Sequence, residues 1–97
     1  GELSINTQNF SVSRKGKTIN LSKKEFSLLE YLARNKNKIV TKDQIISHVW
    51  NYDSDILPNT VEVYIGYLRN KIDKPFKKKF KIINTVRGFG YKLKFEE

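Results

Sequence analysis

An α+β fold is predicted by three observations. Short apolar/polar alternation opens the chain over residues 3–21 and closes it over 82–95, the period of strands. Two capping boxes, Ser22-Lys23-Lys24-Glu25 and Thr41-Lys42-Asp43-Gln44, mark two helix starts between them. A third helix is predicted over 59–73, where Val61, Ile65, Leu68 and Ile72 fall at i, i+4, i+7 and i+11.

The strands come first. Leu3 and Ile5, then Phe10 and Val12, then Ile19 and Leu21 alternate with polar residues, and Arg14-Lys15-Gly16-Lys17 reads as a turn centred on Gly16. This is a small antiparallel meander. The first helix, about 23–35, turns Phe26, Leu29, Leu32 and Ala33 inward, widened by Leu28, and sets Glu30 and Arg34 as an outer i,i+4 pair. Ile39-Val40 is a brief extended link. The second helix, about 42–50, buries Ile45, Ile46 and Val49 and closes on Trp50. The indole either fills the core or aims its N–H at a phosphate. His48 stands alone and gives no catalytic case.

Residues 51–57, NYDSDIL, form a loop. Asp53 and Asp55 are spaced like the first ligands of a calcium loop, but the glycine and closing glutamate are missing, so no metal site is expected. In the third helix Pro58 suits the start and Asn59 the N-cap. Its outer face carries Asn59, Glu62, Val63, Gly66, Tyr67 and Asn70, flanked by Arg69. It is either a solvated surface or a set of amides, carboxylate, phenol and guanidinium that reads base edges. Next comes a lysine-rich link, 74–81. It resembles a nuclear address, a membrane-surface patch or a phosphate-facing loop, and Pro75 bars a continuous basic helix there. The hairpin 82–95 turns at Arg87-Gly88-Phe89-Gly90, whose glycines accept φ > 0.

Ninety-seven residues make one domain, 1–97, large enough for a core without disulfides or metal. With no cysteine and one histidine, neither disulfides nor a Cys- or His-rich metal site is expected, nor any cofactor. No run is long and apolar enough to span a membrane. The net charge is +9, and its placement is uneven: residues 69–94 hold ten Lys/Arg against Asp73 alone, whereas 1–68 are nearly balanced. A polyanion partner, nucleic acid or an anionic membrane, is the direct inference, with a solvated basic face as its competitor.

A short helix, an amphipathic helix and a β-hairpin in succession form the layout of a winged helix-turn-helix. The amphipathic helix would enter a major groove. The hairpin would bring Arg87 to the neighbouring minor groove, where a narrow A·T-rich segment concentrates negative potential.

Several blocks in this order also carry a family resemblance: Leu21-Ser22-Lys23-Lys24-Glu25-Phe26-Ser27-Leu28-Leu29, Val49-Trp50, Thr60-Val61-Glu62-Val63-Tyr64-Ile65, Leu68-Arg69-Asn70-Lys71-Ile72 and, most specific, Thr85-Val86-Arg87-Gly88-Phe89-Gly90-Tyr91. The chain resembles the DNA-binding effector domain of OmpR/PhoB-type bacterial response regulators along nearly its whole length. The resemblance implies a four-stranded N-terminal sheet, three helices and a hairpin wing. It implies a cytoplasmic, non-enzymatic transcription regulator of a two-component phosphorelay that binds double-stranded DNA. A receiver domain would precede it, and a second copy would sit head-to-tail on direct repeats about 10–11 bp apart. The loop 51–59 corresponds to a segment through which some relatives touch RNA polymerase. The isolated domain is expected to be a monomer off DNA.

By the same resemblance, Asn59, Glu62, Val63, Gly66, Tyr67 and Asn70 are base-reading candidates, with Arg69 shared between bases and phosphates. Thr60, Lys71, Lys74, Trp50 and Tyr91 would hold the DNA backbone, as would Thr85 and Gly88 in the wing. Asn suits adenine and Glu suits the cytosine amino group. Gly66 either lets the helix approach the groove closely or is simply tolerated. With few long basic readers, an A·T-leaning site is expected. Two competitors remain: a winged helix used for protein docking, and a nuclease, for which no cluster of carboxylates or histidines is present.

Overall fold

The computed structural model describes residues 3–51, 56–76 and 81–94. Strands β1 (Leu3–Asn6), β2 (Ser11–Arg14) and β3 (Lys17–Ile19) pair antiparallel in that order. Phe10, expected in the second strand, lies in the preceding turn with φ 56°. The cause is local: the Asn6 side-chain oxygen accepts from the amides of Gln8 and Asn9 at 2.9 and 3.2 Å and curls the chain before β2 begins. Lys15 and Gly16, both at positive φ, make the tight two-residue turn that follows. Leu21 falls outside β3. The chain runs directly from β3 to the helix cap at Ser22, leaving no residues there for another strand, so the described sheet has three strands where the resemblance implied four.

Helices α1 (Lys23–Arg34) and α2 (Lys42–Val49) both begin at full capping boxes, Ser22 with Glu25 and Thr41 with Gln44. The outer pair Glu30–Arg34 forms at 3.5 Å. Helix α3 (Thr60–Ile72) has Asn59 at its N-cap, as expected, but the side chain does not do the capping. Asn59 makes no side-chain cap; its backbone sits at φ −96°, ψ 12°. Pro58 and Asn59 are the centre of a type I turn closed by Thr60 N donating to Leu57 O at 3.1 Å, and that turn winds straight into the helix. The Asn59 amide therefore stays exposed. The predicted stripe Val61, Ile65, Leu68 and Ile72 is essentially fully buried, in one apolar cluster with Leu28, Leu29 and Leu32 of α1 and Ile45 of α2.

Strands β4 (Ile83–Val86) and β5 (Gly90–Leu93) form the C-terminal hairpin. Val40, expected as a mere link, bridges to Tyr91 through two backbone hydrogen bonds of 2.8 and 2.9 Å and ties the hairpin to the start of α2. The approach is close enough to need glycine at position 90. A Cβ there would stand 2.1 Å from the Val40 carbonyl oxygen. Residues 74–76, read as part of a link, form a 3₁₀ turn at the end of α3.

That end is fixed by a buried ion pair. Arg14 follows Val12 on the inward face of β2 and is fully buried. Its Nη1 donates to Ile72 O at 2.5 Å and to Asp73 Oδ1 at 3.1 Å. The two Asp73 oxygens also accept the amides of Ile82 and Ile83. One carboxylate thus joins the first sheet, the C-terminus of α3 and the root of the hairpin. The layout is a winged helix-turn-helix. Among the described residues no helix is long and apolar enough to cross a membrane.

Candidate nucleic-acid interface

With its apolar stripe buried, α3 turns the other side outward. Asn59, Glu62, Val63, Tyr67 and Asn70 are exposed, and Gly66 and Arg69 are half-buried among them. Nothing lies within 4 Å of where a Gly66 Cβ would stand, so no contact inside this chain requires a glycine there. Tyr67 is braced rather than free. Its ring meets Tyr64 edge-on at 5.3 Å, and Tyr64 meets Trp50 edge-on at 5.2 Å.

Charged groups flank this face, and each has a partner. Glu62 pairs with Lys42 at the start of α2 at 3.3 Å. Arg69 crosses to the hairpin, where Nη2 donates to Thr85 Oγ1 at 2.5 Å and Nε to Ile83 O at 3.4 Å. Lys71 turns toward α1 and donates to Glu25 Oε1 at 2.7 Å. Burial works against a charged Glu25, but the Lys71 ammonium and the Ser22 amide and hydroxyl outweigh it and hold the carboxyl below its ordinary value. Arg69 and Lys71, expected to be given over to DNA, are thus also bonded within the chain.

Of the two roles left open for Trp50, packing is the one observed. It is 7 % exposed, with Lys24 over its ring. Tyr91 is 9 % exposed. Burial raises its phenol pKa, with Glu62 adding to the effect and Arg69 opposing it, so its hydroxyl stays protonated at neutral pH. Both residues were expected to hold the DNA backbone; both are buried in the free domain. Thr60 is half-buried, whereas Lys74, Thr85, Arg87 and Gly88 are exposed. Arg87, Gly88 (φ 81°) and Phe89 form the hairpin tip, closed by Phe89 N donating to Val86 O at 3.0 Å. One open groove runs between α3 and this tip, from Glu62 and Lys42 to Gly88. A second, on the other side of β4, is edged by Arg69, Lys74 and Lys81. No group of three or more potential metal ligands occurs among the described residues.

Residues 16–93 match the family described as "Transcriptional regulatory protein, C terminal". The chain belongs to that family. It is an OmpR/PhoB-type effector domain of the response-regulator class, a DNA-binding class that regulates transcription. It is 45% identical over 92 residues to the response regulator ArlR of Staphylococcus haemolyticus, a match covering 95% of this chain and 41% of that protein. The chain therefore spans about two fifths of the length of such curated relatives. Among solved structures, the Klebsiella pneumoniae RstA DNA-binding domain in complex with RstA box superposes with a TM-score of 0.83 at 29% identity, over 97% of this chain and 92% of that one. The Thermotoga maritima OmpR/PhoB homologue DrrB does so with a TM-score of 0.82 at 34% identity, over 98% and 42%.

Within this effector domain, sequence reasoning missed Arg14, Asp73 and Lys42. Arg14 was assigned to a turn, although it shares the parity of Val12 and so the inward face of β2. Asp73 is the single acid among ten cations and directly follows an apolar helix, which was the available signal. Asp53 and Asp55, Lys77 to Lys79, and Phe95 lie outside the described residues, as does most of the 51–57 loop.

Proposed function

We propose that this domain binds duplex DNA sequence-specifically, with α3 in the major groove and the Arg87 tip at the adjacent minor groove. The observation that carries this is the Arg69 bridge. It joins the exposed face of α3 to β4, so that helix and wing are offered as one surface. Asn59, Glu62, Val63, Gly66, Tyr67 and Asn70 read bases, with Arg69 at their edge. Thr60, Lys71, Lys74, Thr85 and Gly88 meet phosphates, whereas Trp50 and Tyr91 are buried in the free domain. Lys42–Glu62 and Lys71–Glu25 leave 40–47 % of the charged side chain exposed on the Lys42, Glu62 and Lys71 members. The Lys42–Glu62 pair, exposed on both sides, is weak enough to exchange partners when DNA arrives, whereas Lys71 reaches DNA from a pair whose Glu25 carboxylate is buried.

The response-regulator relatives are longer than this chain, which supports a receiver domain ahead of it in a cytoplasmic two-component phosphorelay. We propose that two copies bind head-to-tail on direct repeats, and that the loop 51–59 is where RNA polymerase is met. No cofactor or enzymatic step belongs to this reading. Selection from a randomised duplex pool at near-physiological salt, followed by sequencing, tests it. A motif repeated about one helical turn apart is expected. Binding without an enriched motif that vanishes with added salt would reduce the interface to nonspecific attraction.

A further inference from the structure

The centre line of the exposed α3 face carries no charge. Asn59, Val63, Gly66 and Asn70 succeed one another along it at i, i+4, i+7 and i+11. The charged residues Glu62 and Arg69 lie to one side and are drawn away by Lys42 and by Thr85. Val63 is 37 % exposed, and Tyr67, one turn further on, is 46 % exposed. Between them Gly66 leaves empty space where any other residue would place a Cβ. Two exposed, largely apolar side chains and a bare backbone therefore present a small uncharged patch that is open to solvent at Gly66. Tyr67 is kept in place on one side of it by its contacts through Tyr64 to Trp50.

In the major groove of DNA one base edge is apolar, the 5-methyl group of thymine. We infer that Val63, Gly66 and Tyr67 form a thymine-methyl seat, and that specificity at this step comes from methyl burial rather than from a hydrogen bond. Asn59 and Asn70 bracket the seat and match adenine, which offers a donor and an acceptor side by side. A tract of A·T pairs read by amide, methyl and amide is the resulting site. The inference rests on the proposal that α3 lies in the major groove.

Replacing single thymines by deoxyuridine in the selected duplex tests it, because uracil lacks only the methyl. Burying one methyl group corresponds to about a four-fold change in affinity. One thymine per half-site is expected to show that loss, and Val63→Ala is expected to erase it, binding thymine and uracil duplexes alike. Gly66→Leu, which fills the seat, should erase the preference as well. Each variant is compared with itself on two duplexes, so a loss of folded protein does not mimic the result. Equal affinity for thymine and uracil at every position would overturn the seat while leaving the selected motif intact. So would a uracil penalty that persists in Val63→Ala. Failure to select any motif would overturn both this inference and the DNA-reading surface on which it rests.

Discussion

Asp73 accepts from a guanidinium and two backbone amides, and its side chain is 2 % exposed. Truncating it would remove a carboxylate that faces the buried Arg14 guanidinium and would leave the Ile82 and Ile83 amides without that acceptor. Asp73→Ala should therefore cost about 3–5 kcal/mol in urea unfolding. Lys42→Met, which breaks the half-exposed pair with Glu62, should cost less than about 1 kcal/mol by the same measurement. Gly66 gives the opposite sign. An added Cβ meets nothing, so Gly66→Ala should raise stability by up to about 1 kcal/mol through helix propensity. It should nevertheless bind DNA no better, because the new methyl would intrude on the inferred thymine seat. The Arg14–Asp73 pair was not legible in the sequence, because its members lie 59 residues apart and only the packing of β2 against the end of α3 brings them together.

Elements whose ends are set locally were legible. Both capping boxes form where Ser/Thr and Glu/Gln stand three residues apart, because donor and acceptor belong to the same turn. The start of α3 was legible too, with Asn59 at the N-cap, but its side-chain cap was not made, because Pro58 favours a type I turn that takes Asn59 out of the extended geometry such a cap needs. Sequence also showed which face of α3 is apolar, but not that Arg69 and Lys71 would find partners on β4 and α1. Glu25 belongs to both a cap and an inter-helix pair, and this gives α1 a pH signature. Its folded pKa is lowered, so its contribution is complete above the ordinary glutamate value of about 4.3. The contribution is lost as pH falls through the lowered folded value. Glu25→Gln keeps a capping-box residue but removes the charge facing Lys71. Its stability, followed by urea unfolding from pH 7 to pH 3, should fall less steeply than that of the unaltered domain.

Across the whole molecule, the +9 charge is concentrated in the last third, while the exposed face of α3 and the hairpin are held together by a few bonds. Charge sets how strongly affinity falls with salt; under the proposed docking, the bonds set whether helix and wing meet DNA together. The two contributions are separable by mutation. Arg87→Ala removes an exposed cation from the wing tip and should reduce the salt slope by about one phosphate contact. Thr85→Val removes the acceptor of Arg69 without changing any charge. It should lower affinity at every salt concentration while leaving the slope unaltered. A lost phosphate contact from the Thr85 hydroxyl would do the same, so affinity alone does not isolate the brace. Hydrogen exchange in the DNA-free domain does. If Arg69 holds the wing, the amides of β4 and β5 should exchange faster in both Thr85→Val and Arg69→Ala. Unchanged exchange in both, with a reduced salt slope only in Arg69→Ala, would make Arg69 a phosphate contact and not a brace.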